Sequence, residues 1–198
     1  AMVRSPGHQE TESKLPMASA AAARRLLRRA GFRVRKRRVH ELNLVFDTPA
    51  GRLRKAGMLL RLRRSGSTAV LTFKGPASGG KHKSRRGLET AIHDFDLGRA
   101  ILSSLGYAVV FEYEKYRTEY RRPQAGGVAC LDETPIGVFV ELEGSPSWID
   151  RTAKVLGFNE DRFITDSYLG LFFQLAGAAC PQTRRMSFAG STRGGWSA

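Results

Sequence analysis

The stretch "HQETESKLP", residues 8–16, is the first segment of the chain with a clear structural pattern. It alternates charged with uncharged side chains, and in a β-strand successive side chains point to opposite faces. Glu10, Glu12 and Lys14 would therefore share one face of this strand. A row of two carboxylates and an ammonium group can lie in water or line an enclosed polar site, and the pattern of the other strands bears on that choice.

Eight segments have the composition and the bounding residues of β-strands. They cover residues 8–15, 33–46, 58–64, 68–74, 84–92, 107–121, 126–133 and 136–143. Most of them are joined by short turns, which predicts antiparallel pairing. Several place apolar residues on one face and long charged residues on the other. Leu60 and Leu62, for example, alternate with Arg61 and Arg63.

Four further segments carry apolar residues at helical spacing. They cover residues 17–31, 96–106, 145–157 and 165–177. The first follows Pro16 and ends at Gly31, the usual asymmetry of helix ends, and Asp96 is the predicted N-cap of the second. These helices can cover the apolar faces of the strands. The predicted fold class is therefore α+β, with eight antiparallel strands and flanking helices.

The charged faces leave two architectures open. One is an antiparallel sheet whose second face lies in water. The other is an eight-stranded barrel, whose interior can hold side chains or one small ligand. A barrel lined by both carboxylates and cationic groups would need ligands for both sets. A divalent cation together with a polyphosphate would satisfy them.

The net charge is +15, from 33 Lys and Arg against 18 Asp and Glu. This excess predicts an anionic partner, which is nucleic acid, a membrane surface or a small polyanion. The basic run at 33–38 is interpreted as a solvated face, with contact to nucleic acid as the alternative. Cys130 and Cys180 form no metal or redox motif. Without a signal peptide or a run of about 18 apolar residues, we expect a cytoplasmic protein, monomeric or homodimeric, that does not enter membranes.

The segment "ETESK" (10–14) resembles the ExExK signature of the CYTH superfamily, the triphosphate tunnel metalloenzymes. This superfamily includes inorganic triphosphatases, thiamine triphosphatases and class IV adenylate cyclases. The resemblance covers about residues 8–173. Other segments are similar to the family's motifs in the same order: "NLVFDTPAGRLRKAGMLLRLR" (43–63), "LTFKGP" (71–76), "SRRGLETAI" (84–92), "EKYRTEY" (114–120), "CLDETPIGVFVELEG" (130–144) and "DSYLGLF" (166–172).

The resemblance implies an eight-stranded antiparallel tunnel that binds a small-molecule triphosphate together with Mg²⁺ or Mn²⁺. By resemblance, the metal ligands are Glu10, Glu12, Glu141 and Glu143, with Asp132 and Glu89 as further acidic candidates. The cationic residues that match the family's triphosphate clamp are Lys14 and Lys74, the catalytic candidates, and Arg61, Arg63, Arg85, Lys115 and Arg117, the substrate-binding candidates.

The implied activity is hydrolysis of a triphosphate compound, with tripolyphosphate preferred over ATP. One alternative is a class IV adenylate cyclase, which forms cyclic AMP and pyrophosphate from ATP. Another is a non-catalytic module that binds polyphosphate or RNA. Gly87 and Ala91 stand where many relatives have acidic residues, which predicts that one ligand of a second metal is missing. Val45 and Phe46 stand where several relatives have tyrosine, which disfavours thiamine triphosphatase and cyclase activity.

The predicted organisation has three parts. Residues 1–7 are interpreted as a cloning remnant, residues 8–176 as the CYTH triphosphate tunnel domain, and residues 177–198 as a flexible tail, because that stretch is rich in Gly and Ser without periodicity. The histidines lack the spacing of metal ligands, and we expect surface or packing roles for His8, His40, His82 and His93.

Overall fold

The structure is a computed structural model, and it describes residues 8–123, 126–176 and 184–190. The strands are β1 (His8–Met17), β2 (Arg33–Asp47), β3 (Leu59–Ser65), β4 (Thr68–Lys74), β5 (Lys83–Ile92), β6 (Ala108–Arg121), β7 (Val128–Thr134), β8 (Gly137–Glu143) and β9 (Arg185–Met186). The helices are α1 (Ala20–Arg29), α2 (Arg52–Lys55), α3 (Phe95–Ser104), α4 (Pro146–Val155) and α5 (Tyr168–Ala176). Short 3₁₀ turns cover Glu160–Arg162 and Phe188–Gly190.

The eight long strands form a closed antiparallel barrel. Their order is β2-β3-β4-β5-β1-β8-β7-β6, and an additional pairing between β2 and β6 joins the two ends of the sheet. The eight predicted strands and the barrel architecture are thus confirmed, and the open sheet with one face in water is excluded. Closure removes the sheet edges along these strands and gives the charged faces a shared interior.

Side-chain alternation places the polar face of each strand inside the barrel. In the register between β2 and β3, Leu44 lies opposite Leu62, and Val45 lies opposite Arg61. Leu44 and Leu62 belong to an outer apolar cluster that packs against α3. A larger outer cluster joins β1, β6, β7 and β8 to α1 and α4. The hydrophobic cores therefore lie mainly between the barrel wall and the helices, and the interior is left for charged groups.

Local hydrogen bonds define the helix ends, and one predicted N-cap was wrong. The predicted cap of α3 was Asp96, but the helix begins at Phe95, and the side chain of Asp94 accepts hydrogen bonds from the backbone of Asp96 and Leu97. The buried ring of Phe95 anchors this start against the barrel. The short α2 was not predicted; Asp47 holds it by accepting three backbone hydrogen bonds. No helix in the described ranges is long and apolar enough to cross a membrane.

Helix α5 and strand β9 lie at one end of the barrel. Tyr168 and Leu171 of α5 pack in one cluster with Phe111 and Phe139, which face the interior from β6 and β8. Strand β9 pairs in parallel with β6 and buries Met186 in the same cluster. Of the predicted tail at 177–198, residues 184–190 are therefore in contact with the barrel, and the other residues lie outside the described ranges, as do residues 1–7.

Candidate active site

The barrel interior, which we call the tunnel, collects the charged side chains of all eight long strands. The register sets the closest neighbours: Glu12 lies opposite Glu143, and Lys14 lies opposite Glu141, on the adjacent strands β1 and β8. Because these positions alternate with outward-facing residues, their side chains enter the same space. The structure brings together there all the predicted site residues: Glu10, Glu12, Lys14, Arg61, Arg63, Lys74, Arg85, Glu89, Lys115, Arg117, Asp132, Glu141 and Glu143.

The glutamates of β1 and β8 are arranged around two buried lysines. Nζ of Lys14 lies 3.5 Å from Oε1 of Glu12 and 3.7 Å from Oε1 of Glu141. Nζ of Lys74 lies 2.5 Å from Oε2 of Glu10 and 3.8 Å from Oε2 of Glu12. Each lysine therefore neutralises a pair of carboxylates that would otherwise repel each other.

These contacts keep the buried groups ionised. Burial by itself raises the pKa of a carboxyl, but Lys14 holds the pKa of both Glu12 and Glu141 below its usual range. Burial also opposes the charge of Lys14, whereas Glu12 and Glu141 raise the pKa of its ammonium group. The tunnel thus holds fixed charges of both signs in a region with little water, where electrostatic interactions are stronger than in bulk solvent.

Asp132 is the centre of a second group. It is fully buried, and its oxygens accept hydrogen bonds from Lys115 at 2.9 Å, from Arg117 at 2.6 and 2.7 Å, and from the hydroxyl of Tyr168 at 2.7 Å. Arg117 also donates to Glu141 at 2.5 Å. With its oxygens occupied in this way, Asp132 is placed to orient two cations of the clamp, a role different from the metal ligation suggested by the sequence.

Three arginines carry buried donors without a protein acceptor. Among the described residues, Nε of Arg61, Arg63 and Arg85 has no hydrogen-bond partner although each atom is buried. The Nη atoms of Arg61 reach the hydroxyls of Tyr113 and Thr72 only at 3.4 Å. An unmade hydrogen bond of a buried charged group is costly, so these guanidinium groups are poised for acceptors that the described part of the chain does not supply.

Sequence reasoning missed several tunnel residues. Glu41 and Asn43 lie on the inner face of β2, and in the described part of the chain one oxygen of Glu41 and both polar atoms of Asn43 lack a hydrogen-bond partner. Burial opposes the charge of Glu41, but Lys115, Arg117 and Arg63 lower its pKa to about 2. The other missed residues are Thr72, Lys83, Tyr113 and Tyr168.

The signal for Glu41 and Asn43 was present in the sequence. They alternate with Leu42 and Leu44 in "HELNLVFD", the same inward-polar pattern that identified Arg61 and its neighbours. Tyr168 had no such signal, because it lies on a helix and reaches the tunnel only through the way α5 packs across the barrel end. Lys83 lies opposite Glu12, and burial with the nearby Arg85 and Lys14 lowers its pKa to about 8.

Gly87 has a clear structural consequence in the tunnel. A Cβ atom at this position would lie 2.7 Å from Oε1 and 3.0 Å from Cδ of Glu10. The carboxylate of Glu10 therefore occupies the space that a side chain on β5 would fill. Position 87 of β5 thus has no acidic side chain, and the carboxylate of Glu10 from β1 lies close to the β5 backbone there.

The carboxylates fit a hard divalent cation by their chemistry, because Mg²⁺ and Mn²⁺ prefer oxygen ligands. Within residues 8–123, 126–176 and 184–190, however, no three His, Cys, Asp or Glu side chains are gathered as a metal-binding group. Lys14 and Lys74 separate the glutamates instead. A cation held by Glu10, Glu12, Glu141 and Glu143 would have to take over the neutralising role of these lysines.

A buried serine, a buried histidine and a partly exposed aspartate form a hydrogen-bonded group outside the tunnel. Oγ of Ser13 is 2.7 Å from Nδ1 of His82, and Nε2 of His82 is 2.9 Å from Oδ1 of Asp150. Ser13 is fully buried and so is closed to a substrate. The group fastens the β4–β5 connection to β1 and α4, in agreement with the packing role expected for His82.

The chain matches the CYTH domain family model over residues 8–154. It is 30% identical over 156 residues to the protein named "Putative adenylate cyclase" of Methanocaldococcus jannaschii, covering 73% of this chain and 87% of that protein.

A solved structure named as a putative adenylate cyclase, from Vibrio parahaemolyticus, has a TM-score of 0.73 at 21% identity and covers 84% of this chain and 98% of that one. A "Putative adenylyl cyclase" from Hippeastrum, described as having a dominant triphosphatase activity, has a TM-score of 0.60 at 20% identity, covering 83% and 94%. At these identities, the two structural similarities show only that the folds are alike. The family model matches well over half of the chain, and the chain belongs to the CYTH domain family.

Proposed function

We propose that this protein is a divalent-metal-dependent phosphohydrolase that acts on a triphosphate compound in its tunnel, with tripolyphosphate preferred over ATP. The observation that carries the proposal is the set of buried guanidinium donors that have no acceptor among the described residues, at Arg61, Arg63 and Arg85. Phosphate oxygens are the acceptors that a planar guanidinium fork fits best. A linear triphosphate offers enough oxygens to reach all three arginines at once.

The charge of the tunnel supports entry of a triphosphate together with a cation. Its cationic and anionic side chains are close to balance, so the several negative charges of a triphosphate would leave an excess of negative charge. A divalent cation would remove that excess, which is why substrate and metal are proposed to bind together. The two sets are Lys14, Arg61, Arg63, Lys74, Lys83, Arg85, Lys115 and Arg117, and Glu10, Glu12, Glu41, Glu89, Asp132, Glu141 and Glu143.

Each part of the tunnel has a distinct task in this reaction. Glu10, Glu12, Glu141 and Glu143 would hold the metal, which would neutralise phosphate oxygens and help to activate water as the nucleophile. Phosphoryl transfer depends mainly on positioning and on stabilisation of charge. Arg61, Arg63 and Arg85 bind non-bridging oxygens, and Lys14 and Lys74 place positive charge beside the glutamates, where charge develops as a phosphoryl group is transferred. Asp132 orients Lys115 and Arg117 on the opposite wall.

Cyclisation of ATP is the second candidate, and the relative from Methanocaldococcus jannaschii supports it by name. A cyclase must hold the nucleoside so that the ribose 3′-hydroxyl lies in line with the α-phosphate. The tunnel side chains described above are suited to phosphate and metal, and Val45, which stands where several relatives have tyrosine, packs in an apolar cluster. The neighbour from Hippeastrum with a dominant triphosphatase activity is consistent with hydrolysis on this fold.

The products decide between these activities. The protein is incubated with tripolyphosphate and, separately, with ATP, in the presence of Mg²⁺ or Mn²⁺. Release of phosphate from tripolyphosphate, at a higher rate than from ATP, is the expected result. A Glu12→Gln variant with an unchanged circular dichroism spectrum should lose this activity. Cyclic AMP with pyrophosphate from ATP would establish the cyclase instead, and triphosphate binding without any product would establish a binding module.

A further inference from the structure

A second cationic site lies outside the tunnel, between α1 and the start of β2. It is a cleft of about 640 Å³, which we call the arginine cleft. The volume is within the range of sites that bind small molecules. Its walls include Thr118 and Tyr120 of β6, whose side chains point away from the tunnel, whereas that of the preceding Arg117 points inward. The other lining residues are Arg24, Arg28, Phe32, Arg33, Val34, Arg37 and Arg38.

The positive charge around this cleft is largely uncompensated. Residues 20–40 contain nine Lys and Arg and no Asp or Glu. Glu133 pairs with both Arg24 and Arg38, at 3.0 and 2.9 Å. Glu119, between Thr118 and Tyr120 on β6, pairs with both Arg35 and Lys36, at 2.6 and 3.0 Å. Two carboxylates are thus each shared between two cations, which leaves a net excess on this face.

Three arginines of the cleft remain without an ion-pair partner in the described part of the chain. They are Arg28, Arg33 and Arg37, and all three are exposed. An exposed arginine is by itself an ordinary solvated group. Here the three line one concave surface with Arg24 and Arg38, and a concave surface of one charge sign focuses the electrostatic potential and raises the local concentration of anions.

The floor of the cleft is apolar and rigid. The rings of Phe32 and Tyr120 are almost fully buried in the outer core, and Phe32 packs edge-on against Trp148. Val34 is 53% exposed at the cleft. Arg38 is stacked over the ring of Tyr116 at 3.4 Å, which holds one of the guanidinium groups in place. The complementary ligand therefore has apolar portions as well as negative charges.

We propose that the arginine cleft binds single-stranded nucleic acid. Positively charged grooves with apolar or aromatic surfaces are what single strands require, since phosphates follow the cations while exposed bases lie against the apolar surface. An inorganic polyphosphate would use the arginines but leave the apolar floor unmatched. In a duplex the base faces are stacked and inaccessible, so a duplex would contact only the rim of the cleft. The site is independent of the tunnel and of the reaction proposed for it.

Fluorescence anisotropy of a labelled oligouridylate with hydroxyl ends, about 12 nucleotides long to exceed one site, tests the proposal. The triple variant Arg28→Gln, Arg33→Gln, Arg37→Gln is compared with Lys55→Gln, Arg99→Gln, Arg151→Gln, which removes the same charge from exposed positions elsewhere. We expect the cleft variant to bind roughly tenfold or more weakly at about 50 mM salt, and its salt slope to fall by about 2, from three lost phosphate contacts. The control variant should bind almost as well as the original protein.

Further measurements separate this site from the tunnel. The cleft variant should hydrolyse tripolyphosphate like the original protein, and Arg61→Ala should bind the oligonucleotide normally. Equal loss of binding in the two triple variants would overturn the proposal in favour of general charge attraction. Polyphosphate that displaces the oligonucleotide better than an unlabelled oligonucleotide of equal charge would overturn it in favour of polyphosphate. Tighter binding of a duplex, or no binding of the single strand, would also overturn it.

Discussion

Arg61 is one of three tunnel arginines with a buried donor that has no acceptor among the described residues. That donor is its Nε, and its other nitrogens make only long contacts. We predict that Arg61→Ala weakens triphosphate binding by roughly 2 to 5 kcal/mol, the scale for loss of a buried charged contact. Isothermal titration calorimetry with tripolyphosphate measures this change.

Arg99→Ala is the matched control, because Arg99 is exposed on α3, away from the tunnel. It should bind tripolyphosphate like the original protein. If Arg61→Ala retained full affinity, the arginines of β3 would not be part of the triphosphate clamp. A thermal melt of both variants separates lost binding from lost folding.

At the scale of elements, the docking of α4 depends on a glycine before β7. A Cβ atom at Gly127 would lie 2.5 to 2.6 Å from three ring atoms of Trp148, which anchors α4 in the outer core. The indole is rigid, so Gly127→Ala should displace the helix and lower the free energy of unfolding by roughly 1 to 3 kcal/mol. Urea denaturation followed by tryptophan fluorescence measures this loss.

The neighbouring Gly126 provides the control for this prediction. A Cβ atom there meets no atom of the described residues within 4 Å, so Gly126→Ala should change the stability by no more than about 0.5 kcal/mol. Equal stability of the two variants would mean that α4 can shift at no cost, in contradiction to the tight contact between Gly127 and Trp148.

At the scale of the whole molecule, the charged interior makes the barrel sensitive to acid. Tunnel cations lower the pKa of Glu12, Glu41 and Glu141 in the folded protein. A lowered folded-state pKa means that the stabilisation is present above the unfolded-state value and is lost as the pH falls through the folded-state value. For Glu41, this window runs from 4.5 down to about 2.

We predict that Glu41→Gln flattens this acid dependence. A shift of this size corresponds to about 3 kcal/mol at neutral pH, so the variant should be less stable at pH 7 and nearly equal to the original protein near pH 2. Urea denaturation at several pH values measures the difference. Asp161→Asn, at an exposed position of a 3₁₀ turn, should leave the curve unchanged. A constant stability difference across this range would mean that Glu41 is not held ionised by the tunnel cations.

Strand alternation in the sequence was sufficient to predict the eight strands and the shared polar face of Glu12 with Lys14 and of Arg61 with Arg63. The reason is that the two-residue period of a strand is local, so the face on which a residue lies follows from its position along the strand. Closure was not decided by any single strand, since it depends on the pairing of β2 with β6.

The tertiary structure alone decided which charged groups meet and what role each can take. Asp132 became an anchor for Lys115 and Arg117 because strand register and α5 together fill its oxygens. The side chain of Tyr168 reaches the tunnel because of the way α5 packs. Its position therefore does not follow from the two-residue period of the strands. The sequence by itself determined the strands and the chemical character of the tunnel; the contacts between its residues arise from long-range register, which no local pattern contains.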